Sequence, residues 1–352
     1  MTARAPAPPP APAWPGDVVA DIVADVVAIT RRGSIVYGRN RFHAPWGIGF
    51  PAGAMASVHV VTAGACWLIP DGGEPIHLTR ADVVLVPSGL AHALVDRPGR
   101  PVRPVEELIG GPLGQATPTD LVIDGDGPLT GLLCGAFLLD SSPRHPITAV
   151  LPPIVHIAAG HARGTGLPAA LDLLSAEVER SGPGAAAVVA SLLDLLFVYI
   201  LRAWIAEQHK ECPGWVAALY DPAVGGALAL IHRDPANPWT VPSLARAVRV
   251  PRATFSRRFT TLTGQAPMAY VTSWRMTVAS RLLREEQAPL REVARRVGYD
   301  SEFAFARAFK RTVGHSPGQY RTSAKANQVR PETGHQPAPS PIHASGASTG
   351  QQ

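Results

Sequence analysis

Leu290-Arg-Glu-Val-Ala-Arg-Arg-Val297, a short turn, Glu302-Phe-Ala-Phe-Ala-Arg-Ala-Phe309 and Gly314-x-x-Pro317-x-x-Tyr320 repeat an earlier run of the same chain. The earlier run reads Thr240-Val-Pro-Ser-Leu-Ala-Arg-Ala-Val248, Arg252-Ala-Thr-Phe-Ser-Arg-Arg-Phe259 and Gly264-x-x-Pro267-x-x-Tyr270. Phe255 and Phe305, Arg257 and Arg307, Phe259 and Phe309, and Gly264 and Gly314 are each 50 positions apart. A constant offset means one supersecondary unit used twice. Leu244, Ala245 and Val248 fall at helical spacing, as do Phe255, Phe259 and Leu262 after them. Val293, Ala294 and Val297 match them in the second copy, followed by Phe305, Phe309 and Val313. Two short amphipathic helices around a tight turn make a helix-turn-helix. The second turn carries Gly298, which accepts φ > 0 without steric cost. The first has Arg249 there, so a different turn is expected.

At about 100° per residue, Arg257 and Ala253 point away from the Phe255/Phe259 stripe. Arg307 and Phe303 do the same in the second copy. Each unit thus buries two aromatics and turns an arginine outward. An arginine so placed can grip guanine O6 and N7 with both ends of its fork. The alternative is a solvated or phosphate-bound arginine, since most protein–DNA hydrogen bonds go to the backbone.

At these residues the chain resembles the DNA-binding domain of the AraC/XylS family of bacterial transcription regulators. The resemblance covers residues 221–321 and is densest at Val293-Ala-x-x-Val-Gly-Tyr299-x-Ser-Glu302-x-x-Phe305-x-Arg307-x-Phe309-Lys310 and Gly314-x-x-Pro317-x-x-Tyr320-Arg321. It implies seven helices, with the two units held apart by a long helix near Met268 to Glu286. It also implies that the helices starting near Arg252 and Ser301 enter successive major grooves, about 34 Å apart. Pro251 departs from the pattern, standing where the family usually has a capping serine. Proline is tolerated at a helix start.

Charge agrees with this division. The 352 residues carry a net +5, but residues 221–325 hold 17 Lys+Arg against 7 Asp+Glu, whereas residues 1–220 hold 14 against 19. A basic half beside an acidic one fits a polyanion reader with a separate sensing module. The 3 cysteines, Cys66, Cys134 and Cys212, form neither a C-x-x-C pair nor a disulfide framework, as expected in a reducing cytoplasm.

Residues 1–16 are nearly all Ala and Pro and read as a disordered tail without a signal-peptide core. Asp17, Asp21 and Asp25 recur every four positions and leave an aliphatic helical face. Short β runs follow: Ser34–Tyr37, Ser57–Val61, Cys66–Ile69, Ile76–Leu78, Asp82–Val86 and Leu132–Leu139, with Asp71-Gly72-Gly73 as a hairpin turn. Such spacing predicts a small barrel or jelly roll. Ala44-Pro45-Trp46, His59-Val-Val-x-x-Gly64, Asp82-x-x-x-x-Pro87-x-Gly89-x-x-His92 and Cys134-Gly135 resemble the cupin-type sensing domain that precedes many AraC-family reading domains. Ala81 replaces the usual glycine before the aspartate.

Many cupins hold a metal through His-x-His, a glutamate and a later histidine. Here the pair reads His59-Val60-Val61 and no matching glutamate appears, which leaves His59 and His92 as two ligands where a stable site uses three or four. The expected cofactor set is therefore none, with these histidines hydrogen-bonded in or beside an effector pocket that includes Trp46 and Trp67. Cys134 reads as a small core residue.

Leu167 to Arg180 and Ala185 to Ala206 read as helices separated by Gly182-Pro183-Gly184. The second is apolar and long enough for a membrane span. Asp194 at its middle argues instead for a helix packed on the barrel or against a second subunit.

The expected architecture is thus α+β: a cupin-like barrel at 17–160, a helical packing or dimerisation segment at 161–207, a linker at 208–220, an all-α double helix-turn-helix domain at 221–322 and a disordered tail at 323–352. The expected function is sequence-specific, effector-controlled regulation of transcription, by family analogy activation, in the cytoplasm. Ala253, Thr254, Arg257, Glu302, Phe303 and Arg307 would face base edges, and Arg252, Arg258, Lys310 and Arg311 would bind phosphates. Phe303 either meets a thymine methyl or packs on a neighbouring helix. Expected partners are promoter DNA, RNA polymerase, a small effector and a second copy of the chain, with no membrane. A cupin metalloenzyme with an accessory DNA-binding domain is the alternative.

Overall fold

The structure is a computed structural model that describes residues 22–25, 31–53, 55–113, 120–139, 151–160, 165–180, 182–208, 214–328 and 342–344. The expected tail at 1–16 and the remainder of the segment at 323–352 lie outside the described residues.

Twelve described strands form two sheets. β1 (Arg31–His43), β3 (Ala56–Ala63), β6 (Val83–Val86), β9 (Leu121–Ile123), β10 (Leu129–Leu139), β11 (Val155–Ile157) and β12 (Ile342–Ala344) make one, in the order β11-β6-β3-β10-β1-β9-β12. β2 (Gly47–Phe50), β4 (Ala65–Pro70), β5 (Ile76–Thr79), β7 (His92–Val95) and β8 (Arg103–Pro104) make the other, in the order β5-β4-β7-β2-β8. Alternation along the strands decides what faces inward. In β4, Cys66 and Leu68 are buried between the sheets while Trp67 points out and meets the His77 ring at a centroid distance of 4.7 Å. Of the C-terminal segment, residues 342–344 add in parallel to β9, an edge that otherwise offers unpaired backbone groups.

Asp82 fastens one corner of the barrel. Its carboxylate accepts from Thr79 N at 3.0 Å, Ala159 N at 2.9 Å and His156 Nε2 at 3.2 Å. Those bonds outweigh the cost of burial and hold the carboxyl below its ordinary pKa. Ala81 beside it has φ 70°, the left-handed conformation that favours the glycine it replaces.

Short α1 (Val105–Ile109) covers one end of the barrel. α2 (Leu167–Arg180) and α3 (Ala185–Gln208) form an antiparallel pair, and α3 lies against β1 and β11. Its buried face, Leu193, Leu196, Phe197 and Ile200, belongs to the same cluster as Val58, Leu133 and Phe137 of the sheet. Asp194 is accounted for by Ser34 of β1, whose hydroxyl lies 3.0 Å from Asp194 Oδ1. α3 is long and apolar enough to cross a membrane. In this fold that apolar face is spent on the barrel.

A helix begins inside the segment expected as linker. Residues 215–220, expected as linker, form α4 (Trp215–Tyr220), with Trp215, Val216, Ala218 and Leu219 buried. A Cβ on Gly225 would stand 2.8 Å from the Leu219 carbonyl oxygen, so that glycine lets α4 pack closely. Then come the seven expected helices: α5 (Pro222–Arg233), α6 (Val241–Ala247), α7 (Arg252–Thr263), α8 (Pro267–Glu285), α9 (Leu290–Arg296), α10 (Glu302–Val313) and α11 (Pro317–Gln328). α11 runs beyond the expected domain end at 322.

Two cores result. One is continuous from the larger sheet through α3 and α4 to Leu228, Leu244, Phe255, Phe259, Tyr270 and Trp274. The other holds Met276, Leu282, Leu283, Val293, Phe305, Phe309, Val313 and Tyr320. α8 belongs to both, its first half to the former and its second half to the latter.

Candidate nucleic-acid interface

The repeat seen in the sequence recurs atom by atom. Phe255 and Phe259 sit 5.6 Å apart, and Phe305 and Phe309 sit 5.7 Å apart. Phe259 meets Tyr270 edge-on at 5.7 Å and 76°, and Phe309 meets Tyr320 at 5.6 Å and 76°. These stacks lock α7 and α10 onto their supports and fix which faces look outward. The turns also agree more closely than expected. Arg249 has φ 57° and Gly298 has φ 78°, so both copies use a left-handed residue, and the first does so with a side chain. The turns still differ in length, as their spacing in the sequence requires: α7 starts at Arg252, three positions after Arg249, and α10 at Glu302, four after Gly298. The α10 start is capped by Ser301, which accepts from Ala304 N at 3.3 Å. α7 begins after Pro251 (φ −55°) with no side-chain cap.

On α7, Arg252, Ala253 and Arg257 are exposed and Thr254 is half-buried. Arg252, Ala253 and Arg257 border one open face together with Ser256, Thr260 and Thr261, three hydroxyl residues the sequence reading passed over. Their spacing of three and four from Arg252, Ser256 and Arg257 is the signal that could have found them. On α10, Glu302, Phe303, Arg307, Lys310 and Arg311 are exposed. Arg258 is the exception among the expected phosphate ligands. Its Nε binds the carboxylate of Asp221, a buried N-cap that also accepts from Ala223 N at 3.0 Å and Val224 N at 2.9 Å. The guanidinium ties α7 to the start of α5, so Arg258 serves the fold first.

Arg275 of α8 joins the two units. It donates to Pro235 O at 2.7 Å and Asn237 O at 2.9 Å, and its guanidinium lies 5.7 Å from the Tyr299 ring centroid. The loop of the first unit and the turn of the second are thereby held on one side chain.

The N-terminal barrel holds a polar chain across its sandwich. His59 of β3 and His92 of β7 meet with Nε2 atoms 2.8 Å apart, His59 Nδ1 lies 3.3 Å from Cys134 Sγ, and His92 Nδ1 lies 2.7 Å from Leu90 O. A carbonyl only accepts, so His92 Nδ1 donates and the Nε2 of the neutral ring accepts. His59 Nε2 must then donate, its Nδ1 accepts, and Cys134 supplies the proton as a thiol. Protonation states agree: burial, then the neighbouring His92, holds His59 well below 6.5, burial lowers His92, and burial pushes Cys134 up to about 12. With both nitrogens of His59 engaged, the residues present do not fit the metal that cupins often carry. Among the described residues no group of three His, Cys, Asp or Glu side chains is arranged around one point.

Cys134 also lines a cavity with Tyr37, Asn40, Phe42, Ile48, Phe50 and Leu94, in which the centre of a water molecule has about 20 Å³ to move. Phe50 stacks on His92 at 5.0 Å, placing the histidines behind the cavity wall. Trp46 is buried behind Phe42 at 4.9 Å, and Trp67 lies on the outer face. Of the expected pocket residues, the histidines come together and the two tryptophans stand apart from them.

Known proteins agree with this division. Residues 21–206 match the cupin family model and residues 244–323 the helix-turn-helix domain model. A putative AraC-like transcription regulator of Streptomyces antibioticus is 34% identical over 278 residues, covering 78% of this chain and 90% of that one. The RCS-specific HTH-type transcriptional activator RclR of Escherichia coli is 28% identical, covering 78% and 88%. The DNA-binding domain of AdpA, solved in complex with a target DNA, is 33% identical over 31% of this chain and 98% of that chain, with a TM-score of 0.30. With a cupin domain in front and a duplicated helix-turn-helix behind, this chain belongs to the AraC family of DNA-binding transcription regulators.

Proposed function

We propose that Arg257 and Arg307 read base edges in two successive major grooves, with Ala253, Thr254, Glu302 and Phe303 beside them. The observation that carries this reading is their equivalence: two exposed arginines, 50 positions apart, on the outward faces of two helices held by the same aromatic stack. Arg252, Lys310 and Arg311 are assigned to phosphates, and Arg258 to holding α7 against α5. Replacing Arg307 by Ala should cost about 1–3 kcal/mol at the preferred site and relax the base preference there. Competition between the promoter of the protein's own gene and random duplex checks it. Equal weakening on every duplex would make Arg307 a phosphate ligand.

The remaining assignments rest on narrower supports. A second copy would dock on α2 and α3, where Leu173, Val188 and Leu195 are exposed aliphatics. An effector would enter beside Cys134, and it would have to widen the cavity, since ordinary ligand sites occupy roughly 300–1,000 Å³. Activation through RNA polymerase, in the cytoplasm where the DNA is, follows the relatives named as regulators and activators.

A further inference from the structure

We infer that Phe303 reads the methyl group of a thymine, so that the half-site under α10 contains a thymine at the position facing the start of that helix. This rests on the assignment of α10 to the major groove and names one base that the groove must present there.

Phe303 is 83% exposed, whereas Phe305 and Phe309 on the same helix are fully buried. Its ring therefore does no packing work in the protein as it stands, and leaving it in water forfeits the gain of covering an aromatic side chain. Position adds direction. Phe303 is the second residue of α10, just after the Ser301 cap, where reading helices present side chains to base edges. Arg307 is one turn further along on the same exposed face, followed by Lys310 and Arg311. A ring flanked by these cations is delivered to the duplex along with them.

Chemistry then selects the base. A phenyl ring offers no hydrogen bond, so neither a phosphate oxygen nor the acceptors and amines of guanine, adenine and cytosine can engage it. The apolar group on the major-groove edge is the C5-methyl of thymine, for which apolar side chains are the usual partners. The equivalent position in the first unit is Ala253, also apolar and exposed but too short to cover as much. The two half-sites should therefore differ, with the stronger methyl preference under α10.

The test uses the full-length protein and a duplex selected from random-sequence DNA. Each thymine of that duplex is replaced in turn by deoxyuracil, which removes only the methyl. One replacement in the α10 half-site should weaken wild-type binding roughly fourfold, the value of one buried methyl. Phe303→Ala should bind the thymine duplex more weakly by a similar factor and respond equally to both duplexes. Phe303→Leu should keep part of the discrimination, and Arg307→Ala should keep all of it while losing base preference at its own position. The inference is overturned if no thymine in that half is methyl-sensitive or if Phe303→Ala is as sensitive as wild type. It also fails if Phe303→Ala binds DNA normally but no longer activates its promoter, which would make the ring a protein contact. If wild type selects no sequence at all, the assignment of α10 to base reading fails as well, and the two failures are told apart by that selection step.

Discussion

Arg249 and Gly298 occupy equivalent turns, and their side chains invert what each turn costs. A left-handed backbone is disfavoured by roughly 1–2 kcal/mol for a residue with a Cβ, so Arg249→Gly should raise stability by up to about 1 kcal/mol once the extra freedom of glycine is deducted. Gly298→Ala should do the reverse and more. An added Cβ would stand 2.7 Å from both the Ala236 carbonyl oxygen and Arg275 Nη2, on top of the strain at φ 78°. Urea unfolding of the two variants checks both, and a stabilised Gly298→Ala would contradict the geometry. The difference was only half visible in the sequence. Glycine announces a left-handed turn, whereas an arginine adopting one is set by packing around it. Trp67 was more legible than the expectation allowed, because inward Cys66 and Leu68 in a strand require an outward residue between them.

Whole elements were read well where periodicity is long. The repeat gave α6, α7, α9 and α10, the apolar runs gave the principal strands, and Asp194 indicated that α3 packs within the protein. α4 escaped because six residues after Pro213-Gly214 carry too short a pattern to separate a helix from a linker. The meeting of His59 and His92 escaped because it depends on how β3 and β7 face each other across the sandwich, which no local spacing encodes. That pair has a consequence for pH. Burial holds both imidazoles below 6.5, and His232 is lowered by burial too, so the unfolded chain takes up protons before the folded one does. Stability should be full above about pH 6.5 and decline as the pH falls toward the depressed values. Melting curves at pH 7.5 and 5.5 should show the lower midpoint at 5.5, with a smaller drop in His92→Gln. An unchanged midpoint would mean that the histidines are solvated.

At the scale of the molecule, the two domains meet through more than a tether. Residues 22–25 are helical, with Ile22 and Val23 in the larger core, and Asp25 Oδ2 lies 3.4 Å from Nδ1 of buried His232, whose Nε2 is 2.8 Å from the Tyr270 hydroxyl. The His232 ring also stacks on Trp274 at 3.7 Å. Of the acid repeat, Asp25 falls in the helix at 22–25 and Asp17 and Asp21 lie outside the described residues; where the helix docks was not visible in the sequence. α4 contributes to the same region, so a DNA-binding fragment should begin at residue 214 rather than 221. Each large side chain removed with α4 stabilises by roughly 1.5–3 kcal/mol when buried, and the shorter fragment should melt well below the longer one in a calorimeter. Equal melting points would show that α4 is dispensable.

The unequal sharing of cores gives the molecule a mechanical asymmetry. Phe255 and Phe259 of the Arg257 helix share a cluster with the larger sheet, so a displacement of the barrel is expected to reach that helix directly and the Arg307 helix only through α8. If the two helices hold the duplex as proposed, a signal arriving from the amino-terminal half would change the nearer handhold first and leave the farther one gripping.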